Sequence, residues 1–326
     1  MKRSEFLSAV AAPIVCAVHT RAQESVDADV IIYGGTPAGL SAAAAVARAG
    51  VSHRYGRESK EQYGESLAGT REPHFKTNYR EEIYRTPGIE YMHHGQFGAD
   101  IPSRVGGNRS YPDGDHGERD RIYRDHYDYQ SGFLWFLAHD PRVPKIVRDD
   151  VNSWGLSKDE YPNTSHWPAQ LYIREARRLI GEHVMTEHDI LQSKTKRDSA
   201  GMGSFVLDSH WVQRFENKDG FVRIEGHLDE SIRLEKNPYE IPYRSLTPKR
   251  SECRNLLVPV CVSATHVAMC TIRMEPVYMV LGHSAGVAAV VAVRKGQAVQ
   301  DVDISDLVTR LSEQGQVLHK EQARSI

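Results

Sequence analysis

A glycine turn near the start of the chain has the residue types and spacing of a phosphate-binding site. Residues 29–33 form a short apolar run, residues 34–39 read Gly-Gly-Thr-Pro-Ala-Gly, and an alanine-rich stretch continues to Gly50. A strand that enters such a turn and leaves as a helix directs backbone N–H groups and the helix N-terminus at one point, which suits a pyrophosphate. The middle glycine of the usual G-x-G-x-x-G pattern is replaced by Thr36. An ordinary strand-to-helix connection without a ligand is the alternative interpretation.

A second segment, near the other end of the chain, has the same predicted order of strand, turn and helix. Residues 256–262 predict an apolar strand, a polar turn with Arg273 follows, and residues 276–294 predict a helix with small residues for close packing. An arginine beside a helix N-terminus can balance a pyrophosphate or the negative charge of a reduced flavin. A surface ion pair between Arg273 and Glu275 is the alternative. Together, the two ends of the chain indicate a dinucleotide cofactor that both of them hold.

Two histidines and one acid are further candidates for this site. His210 lies on a predicted strand and His266 in the predicted loop before Arg273, and either imidazole can donate or accept a proton beside a flavin. Each can equally be an ordinary structural or surface histidine. Glu58 lies 24 positions after the first glycine of the turn, about where a dinucleotide-binding fold presents its ribose-binding acid. It can also be a solvated loop acid.

Composition describes an ordinary globular protein. The chain has 326 residues, 40% hydrophobic and 26% charged, with a formal net charge of −2, which is enough for one large domain or two unequal ones. No basic stripe favours nucleic acid, and no apolar run reaches the roughly 18 residues of a membrane span. The cysteines lack C-x-x-C spacing, and His183 and His188 lack HExxH spacing. We therefore expect neither a disulfide framework nor a metal site.

The N-terminus has the outline of a secretory signal peptide. Lys2 and Arg3 precede an apolar run over residues 6–18, and Thr20 and Ala22 form a small-x-small cleavage site. Residues 1–22 are therefore predicted to be removed on export, which places the protein in the periplasm or outside the cell. An N-terminal helix of the fold is the alternative.

Hydrophobic periodicity predicts the remaining elements. Helices are expected over about 118–137, after Pro144, after Pro168 and over 306–313; strands are expected over 204–215, 220–226 and 239–243. Residues 51–57 stand where a second parallel strand belongs, yet they are polar, whereas buried parallel strands are apolar. Residues 57–118 are rich in Gly, Pro, His, Arg and Asp and are predicted to be a poorly ordered junction.

Longer runs of the sequence carry a family resemblance. They are residues 29–50, 166–178, 185–189, 202–204, 208–210, 212–214, 243–250 and 255–281. In these runs the chain resembles the FAD-dependent oxidoreductase family of large bacterial, often exported flavoproteins with a two-dinucleotide-binding-domain fold. The resemblance implies an α/β protein with a Rossmann-like FAD-binding domain and a mixed α+β substrate domain. Residues 23–56 and 250–300 would form the former, 119–249 the latter, and 301–326 a C-terminal helix and tail.

The resemblance also implies a chemistry and the residues that serve it. FAD would accept a hydride from a small organic substrate, and an acceptor that the sequence does not identify would take the electrons. Arginine and aromatic residues in the middle region suit an oxygen-rich substrate such as a sugar derivative, and a structural interface is the alternative. The implied cofactor-binding residues are Gly34, Gly35, Thr36, Pro37, Ala38 and Gly39 at the pyrophosphate, and Ile272, Arg273, Met274 and Glu275 near the flavin.

The chain departs from the family after its first helix. Family members continue into an apolar second strand that ends in an acid, whereas residue 50 leads directly into the polar residues 51–58. This junction implies that internal segments are absent and that the FAD-binding domain is incomplete. Three functions stay open: a working oxidoreductase, a non-catalytic remnant of one, and an exported sugar-binding module.

Overall fold

The computed structural model describes most of the chain from residue 106 onwards and a short unit before it. The described residues are 28–33, 36–51, 53–55, 106–152, 161–168, 171, 175–192, 194–209, 213–218, 222–226, 228, 234 and 237–323. The helices are α1 Pro37–Arg48, α2 His116–His139, α3 Lys145–Asn152, α4 Glu187–Leu191, α5 His266–Ile272, α6 Glu275–Lys295, α7 Ile304–Glu313 and α8 Lys320–Ala323. The strands are β1 Val30–Ile32, β2 His53–Tyr55, β3 Ser199–Gly203, β4 Gln213–Glu216, β5 Val222–Glu225 and β6 Tyr239–Pro242. Short 3-10 turns cover Pro162–Thr164, Tyr243–Ser245 and Val299–Asp301.

The N-terminal unit is a strand, a helix and a parallel strand, as the glycine turn predicts. β1 and β2 pair in parallel, with Val30 opposite His53 and Ile32 opposite Tyr55. The polar strand is tolerated because this sheet has only two strands among the described residues, and β1 itself leaves 46% of Ile31 exposed. The expectation that buried parallel strands are apolar therefore does not apply here.

Helix α6 is the central element of the fold, and α1 runs parallel along it. A Cβ added at Gly282 would lie 2.7 Å from the carbonyl carbon of Ala38, and one added at Gly286 would lie 2.6 Å from the carbonyl oxygen of Ala42. Because both contacts advance four residues in the same direction, the two helices are parallel. The two glycines remove the side chains that would hold the backbones apart.

The opposite side of α6 packs on the antiparallel pair β3–β6. The hydroxyl of Ser284 donates to the carbonyl of Ala200 at 2.6 Å, and Gly201 leaves room for Val280. By length and composition alone α6 could cross a membrane, which the sequence analysis did not expect. However, 61% of its most apolar stretch is buried within the fold, as in the core helix of a soluble protein.

Two predicted elements are wrong where the structure describes them. Residues 175–180 are not helical, and residues 256–262 are not a strand. Instead, two irregular segments bind each other: the amide of Leu179 donates to Cys261 at 2.9 Å, and Gly181 bridges to Pro248. Amides used in this way cannot form the i−4 bonds of a helix. Ile180, which the predicted apolar stripe would bury, is 66% exposed.

Other predicted elements are confirmed with shifted bounds. α2, α3, α6 and α7 match the expected helices, although in α3 Ile146 is exposed and Val147 is buried, together with Val143 just before the helix. Strands β5 and β6 match two of the predicted strands, whereas residues 204–209 separate β3 from β4. The mixture of helices and strands agrees with the α/β class. The Rossmann-like arrangement and its incompleteness stay predictions, because each described sheet has two strands.

Candidate functional site

The N-terminus of α1 is a capped helix end that follows the glycine turn. Thr36 has an extended backbone, and its hydroxyl oxygen accepts a hydrogen bond from the amide of Gly39 at 3.1 Å. Pro37 occupies the first helical turn, where its missing N–H costs nothing. Ala38 and Gly39 are buried, and the amide of Ala38 has no acceptor within the helix. This end therefore offers an anion a partial positive charge and a backbone donor.

The N-terminus of α6 points the same way as that of α1. Gly282 contacts Ala38, so α6 extends seven residues beyond this contact and α1 extends one. At a rise of about 1.5 Å per residue, the start of α6 lies about 9 Å beyond the start of α1 along their common direction. The turn residues and the Arg273 segment, which the sequence predicted to share one cofactor, thus lie at two neighbouring helix N-termini.

Arg273 stands between α5 and α6 and is almost completely buried. Its side chain is 3% exposed, and its Nη2 donates to the backbone carbonyl of Asp208. Its guanidinium lies 3.6 Å from a carboxylate oxygen of Glu175 and 3.6 Å from one of Asp208. These acids pair with Arg273 in place of Glu275, the partner in the alternative sequence interpretation. Its Nε is buried and donates no hydrogen bond within the described part of the chain.

An unsatisfied buried guanidinium N–H is costly and needs an explanation. The N-cap residue of α6, Met274, has no side-chain cap, so the first amides of this 21-residue helix are also available. Nε faces Oε1 of Glu175 at 3.6 Å, so this carboxylate compensates it by Coulomb attraction, and the uncapped amides of α6 are the donors that suit an electron-rich oxygen or nitrogen of a ligand. Ile272 is completely buried in the core, so only its backbone can contribute. Glu275 is exposed in the first helical turn.

A polar cluster surrounds Glu175 beside this helix end. Its Oε2 lies 2.8 Å from Nη1 of Arg178 and 2.8 Å from Nδ1 of His266, and its Oε1 lies 3.6 Å from the thiol of Cys270. His266 begins helix α5, capped by Thr265, instead of lying in the predicted loop. Burial, and then the charge of Glu175, raise the pKa of the Cys270 thiol to about 12.

This cluster favours hydrogen bonding over a cation. The ligand atoms of Glu175, His266 and Cys270 lie within 4.8 Å of one another, close enough for a metal ion. However, Arg178 and Arg273 direct their guanidinium groups at the same carboxylate and would repel a cation.

The structure therefore describes part of the predicted site. Thr36, Pro37, Ala38 and Gly39 lie at one helix end, and Ile272, Arg273, Met274 and Glu275 at the other. Gly34, Gly35, Glu58 and His210 fall outside the described residues. Sequence reasoning did not single out Glu175 or Asp208. They are 91 and 65 residues distant from their partners His266 and Arg273, and no local pattern marks such pairs.

Comparison with known proteins gives one match. A family model described as FAD dependent oxidoreductase matches residues 58–311. The matched range includes Glu175, His266 and Arg273 as well as the junction over residues 58–118, and it starts after the glycine turn. Neither the curated proteins nor the solved structures give a match.

Proposed function

Because the chain belongs to the FAD dependent oxidoreductase family, we propose that it transfers a hydride from a small, sugar-like organic substrate to FAD. The pair of parallel helix N-termini carries this proposal. FAD has a pyrophosphate and, beyond its ribityl chain, a flavin ring with electron-rich oxygen and nitrogen atoms. Two donor-rich helix ends offset by about 9 Å suit these two parts.

The residues divide between these two parts of the cofactor. The backbone of Thr36, Ala38 and Gly39, together with Gly34 and Gly35 outside the described residues, would hold the pyrophosphate, and Glu58 would hold the ribose. The start of α6, with the positive charge of Arg273 beside it, would hold the electron-rich edge of the flavin. When bound, FAD supplies the hydride acceptor, which no amino-acid side chain can provide.

Two histidines are the proposed proton-transfer groups. His266 is 53% exposed, and its Nδ1 is engaged by Glu175, so its Nε2 is the ring atom available to take a proton from a substrate hydroxyl. His210 follows Asp208, whose carbonyl holds Arg273, and is the second candidate. Aromatic residues beside α2 support a sugar-like substrate: Trp167 contacts Tyr127 edge to face, with their ring centroids 4.9 Å apart.

A non-catalytic remnant of such an enzyme is the second candidate function. The observation that favours it is that the parallel sheet has two strands among the described residues, because a dinucleotide-binding domain ordinarily has a larger sheet. An exported sugar-binding module would retain only the middle region. We also propose that residues 1–22 direct export to the periplasm or beyond, and that internal segments were lost at the polar junction after residue 50.

The visible absorption spectrum of the purified chain, incubated with FAD and freed of unbound cofactor, tests the proposal. We expect oxidised-flavin bands at about one FAD per chain, and bleaching of these bands without oxygen when a suitable sugar is added. A colourless chain would refute the oxidoreductase and leave the remnant or the binding module. Sugar binding by a colourless chain, measured by calorimetry, would identify the module.

A further inference from the structure

The carboxylate of Glu175 is the centre of the polar cluster beside α6. Four groups approach it: Arg178 and His266 at one oxygen, and Arg273 and Cys270 at the other. Its side chain is 19% exposed, so water reaches it only in part. A carboxylate that is this well surrounded is fixed in position and offers little room for a further ligand.

The segment that carries Glu175 is itself held against the chain just before α5. Nε of Arg178 donates to the carbonyl of Ala264 at 3.0 Å, and the amide of Leu179 donates to Cys261 at 2.9 Å. Arg178 therefore joins the carboxylate to the residues that lead into α5. This arrangement holds the acid and the helix that carries His266 in a fixed relation, which a positioning role requires.

The carboxylate decides which nitrogen of His266 carries the proton. An ionised carboxylate can only accept hydrogen bonds, so Nδ1, at 2.8 Å, must be the donor. A neutral imidazole then has its lone pair on Nε2. Nε2 lies 3.8 Å from the protonated thiol of Cys270, a weak donor that places no charge beside it.

The same carboxylate compensates part of the charge of Arg273. Its Oε1 lies 3.6 Å from Nε, too far for a normal hydrogen bond but close enough for Coulomb attraction. The carbonyl of Asp208 holds the other end of the guanidinium. Arg273 therefore stays buried at the start of α6, with its positive charge held between Glu175 and Asp208.

We infer that Glu175 is a positioning residue that holds His266 as the Nδ1–H tautomer and keeps Arg273 beside the N-terminus of α6. The catalytic meaning of this inference rests on the proposed function: Nε2 of His266 is then the base that takes the proton of a substrate hydroxyl. The tautomer itself is a property of the chain and can be measured without the cofactor.

Long-range proton–nitrogen NMR on the full chain with ¹⁵N-labelled histidines, at a pH where His266 is neutral, tests the tautomer. The signal of His266 is the one missing in His266→Gln. We expect Nδ1–H in the unmodified chain and in Glu175→Gln, whose amide oxygen still accepts. We expect Nε2–H, the form that imidazole favours in water, in Glu175→Leu. Glu182→Gln is the matched control, because Glu182 lies on the same segment and accepts from the backbone of Arg250.

An unmodified chain with Nε2–H at His266 would overturn the inference, whether or not the chain binds FAD. So would Nδ1–H in a folded Glu175→Leu; if that variant does not fold, the unmodified chain and Glu175→Gln decide. With FAD bound, Glu175→Leu should lower kcat by on the order of 10- to 100-fold and change KM little, because general-base catalysis contributes about 10²–10⁴. An unchanged kcat would refute the positioning role. Failure of the unmodified chain to bind FAD would refute the proposed function and leave the tautomer result standing.

Discussion

Substituting Gly282 tests the contact between the two helices on which the proposed cofactor site depends. A Cβ at this position would lie 2.7 Å from the carbonyl carbon of Ala38, whereas ordinary contact begins at 3.4 Å. To bring the added Cβ from 2.7 Å to the ordinary contact distance of 3.4 Å, the two helix backbones must move apart by at least about 0.7 Å. Overpacking of this kind costs about 1–3 kcal/mol. Replacing glycine by alanine in a helix interior stabilises by about 1 kcal/mol, so Gly282→Ala should lower the free energy of unfolding by up to about 2 kcal/mol.

Gly132→Ala is the matched control. Gly132 lies in the interior of α2, and a Cβ added there meets nothing within 4 Å. This substitution should therefore raise the free energy of unfolding by about 1 kcal/mol. Because both variants carry the same helix-propensity gain, the difference between them isolates the clash.

Urea unfolding followed by far-UV circular dichroism gives both free energies. We expect the two variants to differ by about 1–3 kcal/mol, and we expect Gly282→Ala to bind FAD more weakly because α1 and its N-terminus must move. Equal free energies of unfolding for the two variants would show that α1 does not pack on α6 at Gly282. The proposed site between the two helices would then be refuted.

Three further predictions concern the site itself. Arg273→Ala should lower the reduction potential of bound FAD, because the positive charge of Arg273 stabilises the reduced flavin. Arg244→Ala, which removes an exposed arginine, should leave the potential unchanged. Equal potentials for Arg273→Ala and the unmodified chain in a redox titration would remove Arg273 from the site. Gly39→Val should abolish FAD retention, since Gly39 is buried in the first turn of α1, and normal flavin absorbance in this variant would refute the pyrophosphate assignment. At neutral pH, iodoacetamide should modify Cys270 on the order of 10-fold more slowly in the native than in the unfolded chain, since burial raises the pKa of the thiol to about 12 and leaves little of the reactive thiolate. Similar rates by mass spectrometry would contradict that environment.

The sequence predicts those parts of the fold that rest on local periodicity. α2, α6 and α7 repeat their apolar positions at helical spacing, and the glycine turn predicts β1 and α1. Prediction from the sequence fails where long-range contacts determine the backbone conformation. Leu179 lies in a pattern that suits a helix, yet its amide is bound by Cys261, 82 positions along the chain. Residues 256–262 bind this segment through Cys261, and they form no strand in the described part of the chain.

The residues of the candidate site also divide into those that a local sequence pattern marks and those that only long-range contacts bring together. Thr36, Gly39 and Arg273 are marked by their position at predicted helix starts, and the structure places them there. Glu175 is an ordinary acid by its neighbours and becomes special only when the chain folds His266 and Arg273 onto it. Contacts between residues so far apart in sequence leave no local signal, so a single sequence does not reveal them.

The parallel contact of α1 and α6 also determines when the cofactor site can form during synthesis. Arg294 at the end of α6 donates to Ala49 at the end of α1, a separation of 245 residues. At about 5–20 residues per second, α1 leaves the ribosome roughly 12–50 s before its partner does. Its small apolar face, with Ala42, Ala45 and Val46, lacks α6 for that whole interval. The pair of helices that is proposed to hold FAD therefore forms only after α6 has been made, and the apolar face of α1 is open to non-native contacts until then.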